Sequence, residues 1–94
     1  MALEPRHNPD ASRYELFEDG VLVGVADYRL DGQVAVFPHT EVVAPRRGHG
    51  LGERLVRFAL DDQRRLGHTV IARCWFVAEF IDDHPEYADL RATA

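Results

Sequence analysis

A short glycine-rich segment, Arg46-Arg47-Gly48-His49-Gly50-Leu51-Gly52, carries the clearest chemical signal in the sequence. Glycine at three alternate positions removes the side chains that would keep a ligand away from the backbone. A helical pattern begins directly after it, so the unpaired N–H groups of the first helical turn and the positive end of the helix dipole face the loop. Such a loop suits an anion, most naturally a phosphate or pyrophosphate. Arg46, Arg47 and His49 add positive potential.

The spacing of this loop fits neither of two common phosphate-binding motifs. A P-loop places Lys and then Ser or Thr after its last glycine, whereas Glu53 and Arg54 follow Gly52 here. A dinucleotide-binding fingerprint needs G-x-G-x-x-G, whereas these glycines follow G-x-G-x-G. On spacing alone, a connector whose glycines serve only helix packing remains open as an alternative.

The elements that would position this loop begin with three β-rich runs. Asp19-Gly20 and Asp31-Gly32 separate these runs, and Asp-Gly is a strong hairpin signal because both central residues of a type I′ turn need positive φ. Pro38 has no N–H to donate to a ladder, so we expect a bulge or a local edge there. The sequence therefore predicts a three-stranded antiparallel meander over residues 13–18, 21–30 and 33–43.

A helix, a short strand and a second helix follow the loop. Apolar residues recur at helical spacing over residues 51–66, Thr69–Ala72 is typical of a buried strand, and residues 74–83 form the second helical run. The order β-β-β-α-β-α predicts an α+β fold with a mixed four-stranded sheet. Its last strand should lie parallel to the third, because a right-handed crossover joins them.

Length and composition limit the classes of function. With 94 residues, we expect a flexible N-terminal segment over residues 1–12 and a single minimal domain over residues 13–94. The net charge of −5 argues against a nucleic-acid binder, and the apolar runs are too short to span a membrane. A lone cysteine, Cys74, fits a cytoplasmic protein. Together with His39 and His84 it gives no recognisable metal spacing, so we expect no metal.

The sequence between Tyr14 and Leu90 resembles the GNAT superfamily of N-acetyltransferases, and most closely its small single-domain branch. The segment Arg47–Gly52 matches the R/Q-x-x-G-x-G/A signature of that superfamily and lies, as there, between a strand and a helix. The resemblance is carried in order by His39-Thr40-Glu41-Val42, Pro45 with Arg47-Gly48-x-Gly50-x-Gly52, Cys74-x-Phe76-Val77 and His84-Pro85-Glu86-Tyr87.

The resemblance implies the acyl-CoA N-acyltransferase fold and acetyl-CoA as cosubstrate. Family members hold the pyrophosphate on the loop, pair the pantetheine arm with the strand before it, here about His39–Val43, and keep the thioester in a split beside Thr69–Ala72. The chain is then an N-acetyltransferase that transfers an acetyl group to an unidentified amine. The implied cofactor-binding residues are Val42, Val43, Arg46, Arg47, Gly48, His49, Gly50, Leu51 and Gly52.

The chain departs from larger family members on the acceptor side. Those members insert helices between their first two strands, whereas only Asp19-Gly20 joins them here. An open acceptor side fits a peptide or protein amine. It fits equally a non-catalytic acyl-CoA-binding or interaction module, and an adaptor with a purely structural loop is a third alternative. We expect a monomer or a weak dimer, with the long second strand as a candidate pairing edge.

Three residues are candidates for catalysis of amine acetylation, which needs a base for the ammonium proton. His39 is the first choice, because histidine changes protonation near neutral pH; its alternative role is to cap the bulge at Pro38. Glu41 shares the face of His39 and either orients it, acts as the base itself or is simply solvated. Cys74 either accepts the acetyl group as a nucleophile, bonds near the CoA sulfur or packs in the core.

Aromatic residues near these candidates are expected to be structural. Trp75, Phe76 and Phe80 are interpreted as core residues of the second helix. Tyr87 resembles the position of a tyrosine acid in some family members, but a packing role in the C-terminal segment is the preferred interpretation.

Overall fold

A five-stranded sheet, whose strands lie side by side in the order in which they occur along the chain, forms the framework of the computed structural model, which describes residues 2–92. Two helices pack on the face that carries Tyr14, Leu16 and Phe37. Neither helix is long and apolar enough to cross a bilayer. Short 3-10 helices lie at Pro9–Ala11, Ala44–Arg46 and Pro85–Leu90. The main elements are β1 (Leu3–Asn8), β2 (Arg13–Glu18), β3 (Val21–Asp31), β4 (Val34–Val42), α1 (Leu51–Arg65), β5 (Thr69–Ala72) and α2 (Trp75–Asp83).

The first strand corrects two expectations from the sequence. Residues 1–12 were expected to be a flexible segment outside a four-stranded sheet, but β1 pairs antiparallel with β2 from Leu3↔Glu18 to Asn8↔Arg13. Its charged residues and Pro5 hid the strand pattern, and an edge position tolerates both. The sheet of residues 2–92 thus has five strands, while Met1 of the expected flexible segment and Thr93 and Ala94 of the expected domain lie outside the described residues. The long β3 is interior, between β2 and β4, and is not the free edge that we expected.

The two hairpins use different turns. Asp19 (φ 50°) and Gly20 (φ 84°) both have positive φ, as the predicted type I′ turn requires. In the second hairpin Asp31 pairs with Val34, so the central residues are Gly32 (φ 61°) and Gln33. Glycine with positive φ at the first central position is the requirement of a type II′ turn. The second Asp-Gly pair therefore marks the right hairpin but the wrong pair of central residues.

The last strand, β5, lies parallel to β4, as the right-handed crossover predicts. β5 pairs parallel with β4 from Val34↔Thr69 to Phe37↔Ala72, after α1 has carried the chain across the sheet. The bulge predicted at Pro38 is also confirmed, because Phe37 and Pro38 together lie opposite Tyr28 in the β3–β4 pairing. This extra residue in β4 falls at the point where β4 and β5 stop pairing.

A buried polar cluster joins the sheet to α1. The Tyr14 side chain is fully buried, and its hydroxyl donates to Asp62 Oδ2 at 2.6 Å while it accepts from Gln63 Nε2 at 2.8 Å. Burial, followed by the bond to the Asp62 carboxylate, raises the pKa of Tyr14, so the hydroxyl stays protonated and remains a donor. Nearby, Tyr28 Oη lies 2.6 Å from His7 Nε2 and ties β1 to β3.

We expect Tyr14→Phe to lower the free energy of unfolding by about 1–3 kcal/mol, because it leaves the buried Gln63 amide without its acceptor. Tyr28→Phe is the matched control. It removes a hydroxyl of the same kind, but the His7 ring that it frees is 24% exposed and can bond to water. Urea denaturation of both variants measures the difference. Equal losses would contradict the assignment of the cost to Gln63.

Candidate functional site

A cavity of about 390 Å³ opens where the glycine-rich loop, the C-terminal half of β4 and the first turns of both helices meet. Its wall combines backbone from the loop with charged, apolar and small side chains, so it has both polar and apolar surfaces. The cavity is lined by Thr40, Val42, Arg46, Arg47, Gly48, Gly50, Leu51, Gly52, Glu53, Cys74, Trp75 and Phe76.

The cavity exists because β4 and β5 separate. Their ladder ends at Phe37↔Ala72, where the Phe37 carbonyl accepts from the N–H groups of both Arg73 (3.1 Å) and Cys74 (2.9 Å). From Pro38 onward β4 continues to Val42 with β3 on one side and, among residues 2–92, no strand on the other. The result is a split whose open side is an unpaired stretch of strand.

The bulge sets which backbone groups face this split. Val43 donates its N–H to the Val23 carbonyl (2.9 Å), so it points toward β3. Because backbone groups alternate in direction along a strand, those of Val42 and Thr40 point away from β3 and into the split. Consistent with this, the Val42 carbonyl accepts from Arg47 Nε at 2.9 Å. The strand thus offers backbone hydrogen-bonding groups of Thr40 and Val42 to an extended ligand.

Glycine is required at the three loop positions for two different physical reasons. Gly48 (φ 82°) and Gly50 (φ 75°) lie in the left-handed region, and a Cβ on either would meet nothing within 4 Å. Their requirement is therefore conformational. Gly52 is helical, and a Cβ there would lie 2.9 Å from the Phe76 ring. This glycine allows α2 to approach α1 closely at the cavity wall.

Two helix N-termini face the same cavity. α1 begins after Gly50 with no side-chain cap, and the first N–H bonded to the Gly50 carbonyl is that of Arg54. The N–H groups of the preceding first turn are therefore available to a ligand. α2 begins after Cys74, also without a side-chain cap, and its first two residues line the cavity. Both dipoles place positive potential there.

The two arginines at the start of the loop are held differently. Arg46 forms a bidentate ion pair with Glu18, with Nε–Oε1 and Nη2–Oε2 distances of 2.7 and 2.8 Å. Arg47 is anchored through Nε to the Val42 carbonyl, as described above. Arg47 and Arg46 both line the cavity, whereas two other residues expected to bind the cofactor, Val43 and His49, are not among its lining residues.

The candidate catalytic residues fall into two separate groups. His39 Nε2 lies 3.1 Å from Glu41 Oε1, with both side chains more than half exposed. Cys74 is buried and its Sγ lies 3.7 Å from Thr40 Oγ1. Since Thr40 alternates with its neighbours on β4, Cys74 lies on the opposite face of the strand from the His39–Glu41 pair. Of the three candidates, Cys74 alone lines the cavity.

The structure adds residues to the site that the sequence analysis did not assign to ligand binding. Thr40, Glu53, Trp75 and Phe76 all line the cavity. Trp75 was expected in the core but is 72% exposed at the start of α2, with its ring edge-on to Phe76 at a centroid distance of 5.8 Å. Helical spacing carries this signal, because Trp75 lies on the same face of α2 as Glu79 and Asp82, which are also exposed.

Tyr87 has the packing role that was preferred for it. Its hydroxyl donates to Asp61 at 2.7 Å and accepts from Arg57 Nη1 at 3.1 Å, which binds the C-terminal 3-10 helix to α1. Burial and then the bond to Asp61 raise the pKa of Tyr87. The residue is not part of the cavity wall. Among residues 2–92, no three His, Cys, Asp or Glu side chains gather as a metal-binding group.

Residues 13–90 match the model of a family described as GCN5-related N-acetyl-transferase. A solved GCN5-like protein from Staphylococcus aureus superposes with a TM-score of 0.75 at 20% identity, covering 98% of this chain and 90% of that one. The Escherichia coli ribosomal-protein-S18-alanine N-acetyltransferase has a TM-score of 0.61 at 18% identity and covers 64% of this chain and 39% of its own.

A third neighbour is an N-acetylglutamate synthase from Neisseria gonorrhoeae in complex with coenzyme A and N-acetyl-glutamate. It has a TM-score of 0.59 at 20% identity, and the match covers 74% of this chain and 19% of that one. At these identities the neighbours establish the fold. No curated protein is similar enough to the chain to count as a match.

The contact between Gly52 and Phe76 can be tested by stability. Helix propensity alone would make Gly52→Ala stabilising by about 1 kcal/mol. We expect a loss of about 1 kcal/mol instead, because the new Cβ forces the Phe76 ring to move. In a Phe76→Leu background the same substitution should become stabilising. Denaturant unfolding of the four proteins in this cycle gives the answer, and stabilisation by Gly52→Ala alone would show that the contact does not require glycine.

Proposed function

Because the chain belongs to the GCN5-related N-acetyl-transferase family, we propose that it transfers an acetyl group from acetyl-CoA to an amine acceptor. The observation that supports this most directly is the continuity of the cavity. One end is an anion-binding glycine loop, and the other is a split strand with unpaired backbone groups. An acyl-CoA has the matching order of parts, since its pyrophosphate is joined to an amide-containing arm that ends in the thioester.

In this proposal the loop and β4 hold the cosubstrate. The backbone N–H groups from Gly48 to Glu53 receive the pyrophosphate at the start of α1, with Arg47 as the adjacent cation. The backbone groups of Thr40 and Val42 pair with the amides of the pantetheine arm, as a neighbouring strand would. Val43 and His49 are not in the cavity wall. In this proposal they act only by their place in the chain, as parts of the strand end and of the loop that hold the cosubstrate.

Two routes for the transfer follow from the two groups of candidate residues. In direct transfer, His39 removes the ammonium proton while Glu41, 3.1 Å away, orients the His39 ring. The free amine then attacks the thioester carbonyl, and the CoA thiolate leaves and takes up a proton. In the other route, the Cys74 thiolate attacks the thioester carbonyl, the CoA thiolate leaves with a proton from the medium, and the amine then attacks the new thioester on Cys74. The place of Cys74 in the cavity wall favours the second route. A cytoplasmic location, which keeps this thiol reduced, suits either route.

The exposure of His39 and Glu41 favours one alternative function. Both side chains lie outside the cavity wall and more than half in solvent. The first two strands of the sheet, β1 and β2, are joined through the short 3-10 helix Pro9–Ala11 and not, as expected, by Asp19-Gly20, which joins β2 to β3. These features also suit an acyl-CoA-binding module that transfers nothing. As in the sequence-based expectation, we propose a monomer or weak dimer whose acceptor is not specified by the fold.

Binding can be measured by fluorescence, because Trp75 is the one tryptophan of the chain and lines the cavity. We expect acetyl-CoA to change the Trp75 emission with a saturable titration. Gly50→Glu should abolish this response, since it places a carboxylate where the pyrophosphate binds. Gly32→Glu is the matched control, because Gly32 also has positive φ and open space around its Cβ but lies in a hairpin turn outside the cavity. Absence of any response in the wild-type protein would contradict binding of acetyl-CoA in the cavity beside Trp75.

Turnover separates the enzyme from the binding module. We expect Cys74→Ser to reduce acetyl transfer to a panel of peptide amines at least about 100-fold while the fluorescence titration is unchanged. If transfer passes through Cys74, His39→Ala and Glu41→Gln should reduce the transfer rate less than Cys74→Ser does, and if transfer is direct they should reduce it more. For the route through Cys74, mass spectrometry of the wild-type protein with acetyl-CoA should show one added acetyl group on Cys74. Binding without transfer or acetylation in the wild type would favour the non-catalytic module.

A further inference from the structure

The buried carboxylate of Glu18 lies beside the glycine-rich loop and has no role in the proposed acetyl transfer. Glu18, the last residue of β2, is 9% exposed and forms the bidentate ion pair with Arg46. It is separated from Arg46 by 28 residues of sequence. The pair therefore connects the end of one hairpin with the first residue of the glycine loop.

The position of Glu18 is one where the strand pattern calls for an apolar residue. Alternation along β2 places Glu18 on the same face as Tyr14 and Leu16, which are both fully buried in the core. Burying a carboxylate there has a desolvation cost, and the attraction between Glu18 and Arg46 at most compensates for that cost. Stability alone is thus a weak reason for this pair, and conformational specificity is the better one.

The backbone on the Glu18 side of the pair is rigid, whereas the loop side is not held by a ladder. Glu18 pairs with Leu3 on β1 and with Val21 on β3. Arg46, in contrast, ends a single 3-10 turn, in which its N–H bonds to the Val43 carbonyl at 2.9 Å. The glycines that follow allow many conformations, so a fixed side-chain anchor at Arg46 restricts the start of the loop.

We propose that Glu18 is a positioning residue for the anion-binding loop, acting through Arg46, so that Arg46 serves as the anchor of the loop and Arg47 as the cation beside the phosphates. The inference rests on the proposed function for its ligand, acetyl-CoA. It differs from the sequence-based expectation in giving the two adjacent arginines separate roles. Each is tied through Nε to a different protein acceptor, a carboxylate for Arg46 and a carbonyl for Arg47.

A double-mutant cycle on ligand affinity tests the assignment. Glu18→Gln and Arg46→Gln should each weaken acetyl-CoA binding by roughly tenfold, and the double variant should bind no worse than either single one, because both changes remove the same anchor. S-acetylpantetheine, which lacks the phosphates, should bind equally to all four proteins. If Arg46 instead contacts the phosphates directly, Arg46→Gln will weaken acetyl-CoA binding while Glu18→Gln leaves it unchanged or makes it tighter, and the proposal is wrong.

Glu15→Gln provides the matched control for burial. Glu15 is 8% exposed, lies on the same strand and is bonded to Arg13 Nε at 2.7 Å, but it has no contact with the loop among its described bonds. It should affect stability and leave acetyl-CoA affinity unchanged. Equal effects of Glu15→Gln and Glu18→Gln on affinity would show a general loss of structure and would overturn the positioning role.

Amide hydrogen exchange of the ligand-free proteins separates this inference from the proposed function. Glu18→Gln should raise the exchange rates of residues 46–52 selectively, whereas Glu15→Gln should not. Unchanged rates in the loop of the Glu18 variant would refute the anchor even if acetyl-CoA binds. Conversely, a wild-type protein that fails to bind acetyl-CoA would refute the proposed function, while the exchange experiment would still decide whether Glu18 orders the loop.

Discussion

The extra residue in β4 at Phe37-Pro38 is the constraint on which the rest of the site depends. Before it, β4 bonds to β5, and after it the backbone groups on that side have no strand to pair with. Because the insertion reverses the alternation, it turns Thr40 and Val42 into the split and leaves His39 and Glu41 on the other face. The cavity, the separation of the candidate catalytic groups and the place of Cys74 all follow from one residue that the ladder cannot accommodate.

Much of the framework was predictable because local chemistry determined it. Asp-Gly turns and β-rich runs located three strands, and helical periodicity located α1 almost to the residue. Non-local contacts account for what was missed. β1 is a strand only because β2 is beside it, and its Pro5 and charged residues carry no strand signal of their own. The second turn is displaced by one residue, because the register between Asp31 and Val34 decides which residues are central.

The site shows the same division between local and non-local information. The glycine loop could be predicted, since the requirements of Gly48 and Gly50 are conformational and belong to the residues themselves. The exposure of Trp75 could also have been predicted, because helical spacing puts it on the same face of α2 as Glu79 and Asp82. The pairing of Glu18 with Arg46, in contrast, was hidden. Its sole trace in the sequence is a carboxylate at an inward position of an alternating strand.

The two outer edges of the sheet determine whether the protein can pair with a strand of another molecule. Just before β1, the Ala2 carbonyl accepts from the Asp19 N–H. Alternation along β1 therefore directs the backbone of Pro5 outward, where proline presents no donor in the middle of the strand. On β5, Ala92 N–H already occupies the Val70 carbonyl. Both outer edges are therefore poor templates for the growth of a sheet between molecules. Within residues 2–92, the strand edge best able to receive an extended chain is the one inside the cavity, so protection against aggregation and capacity to bind reside in different parts of the same sheet.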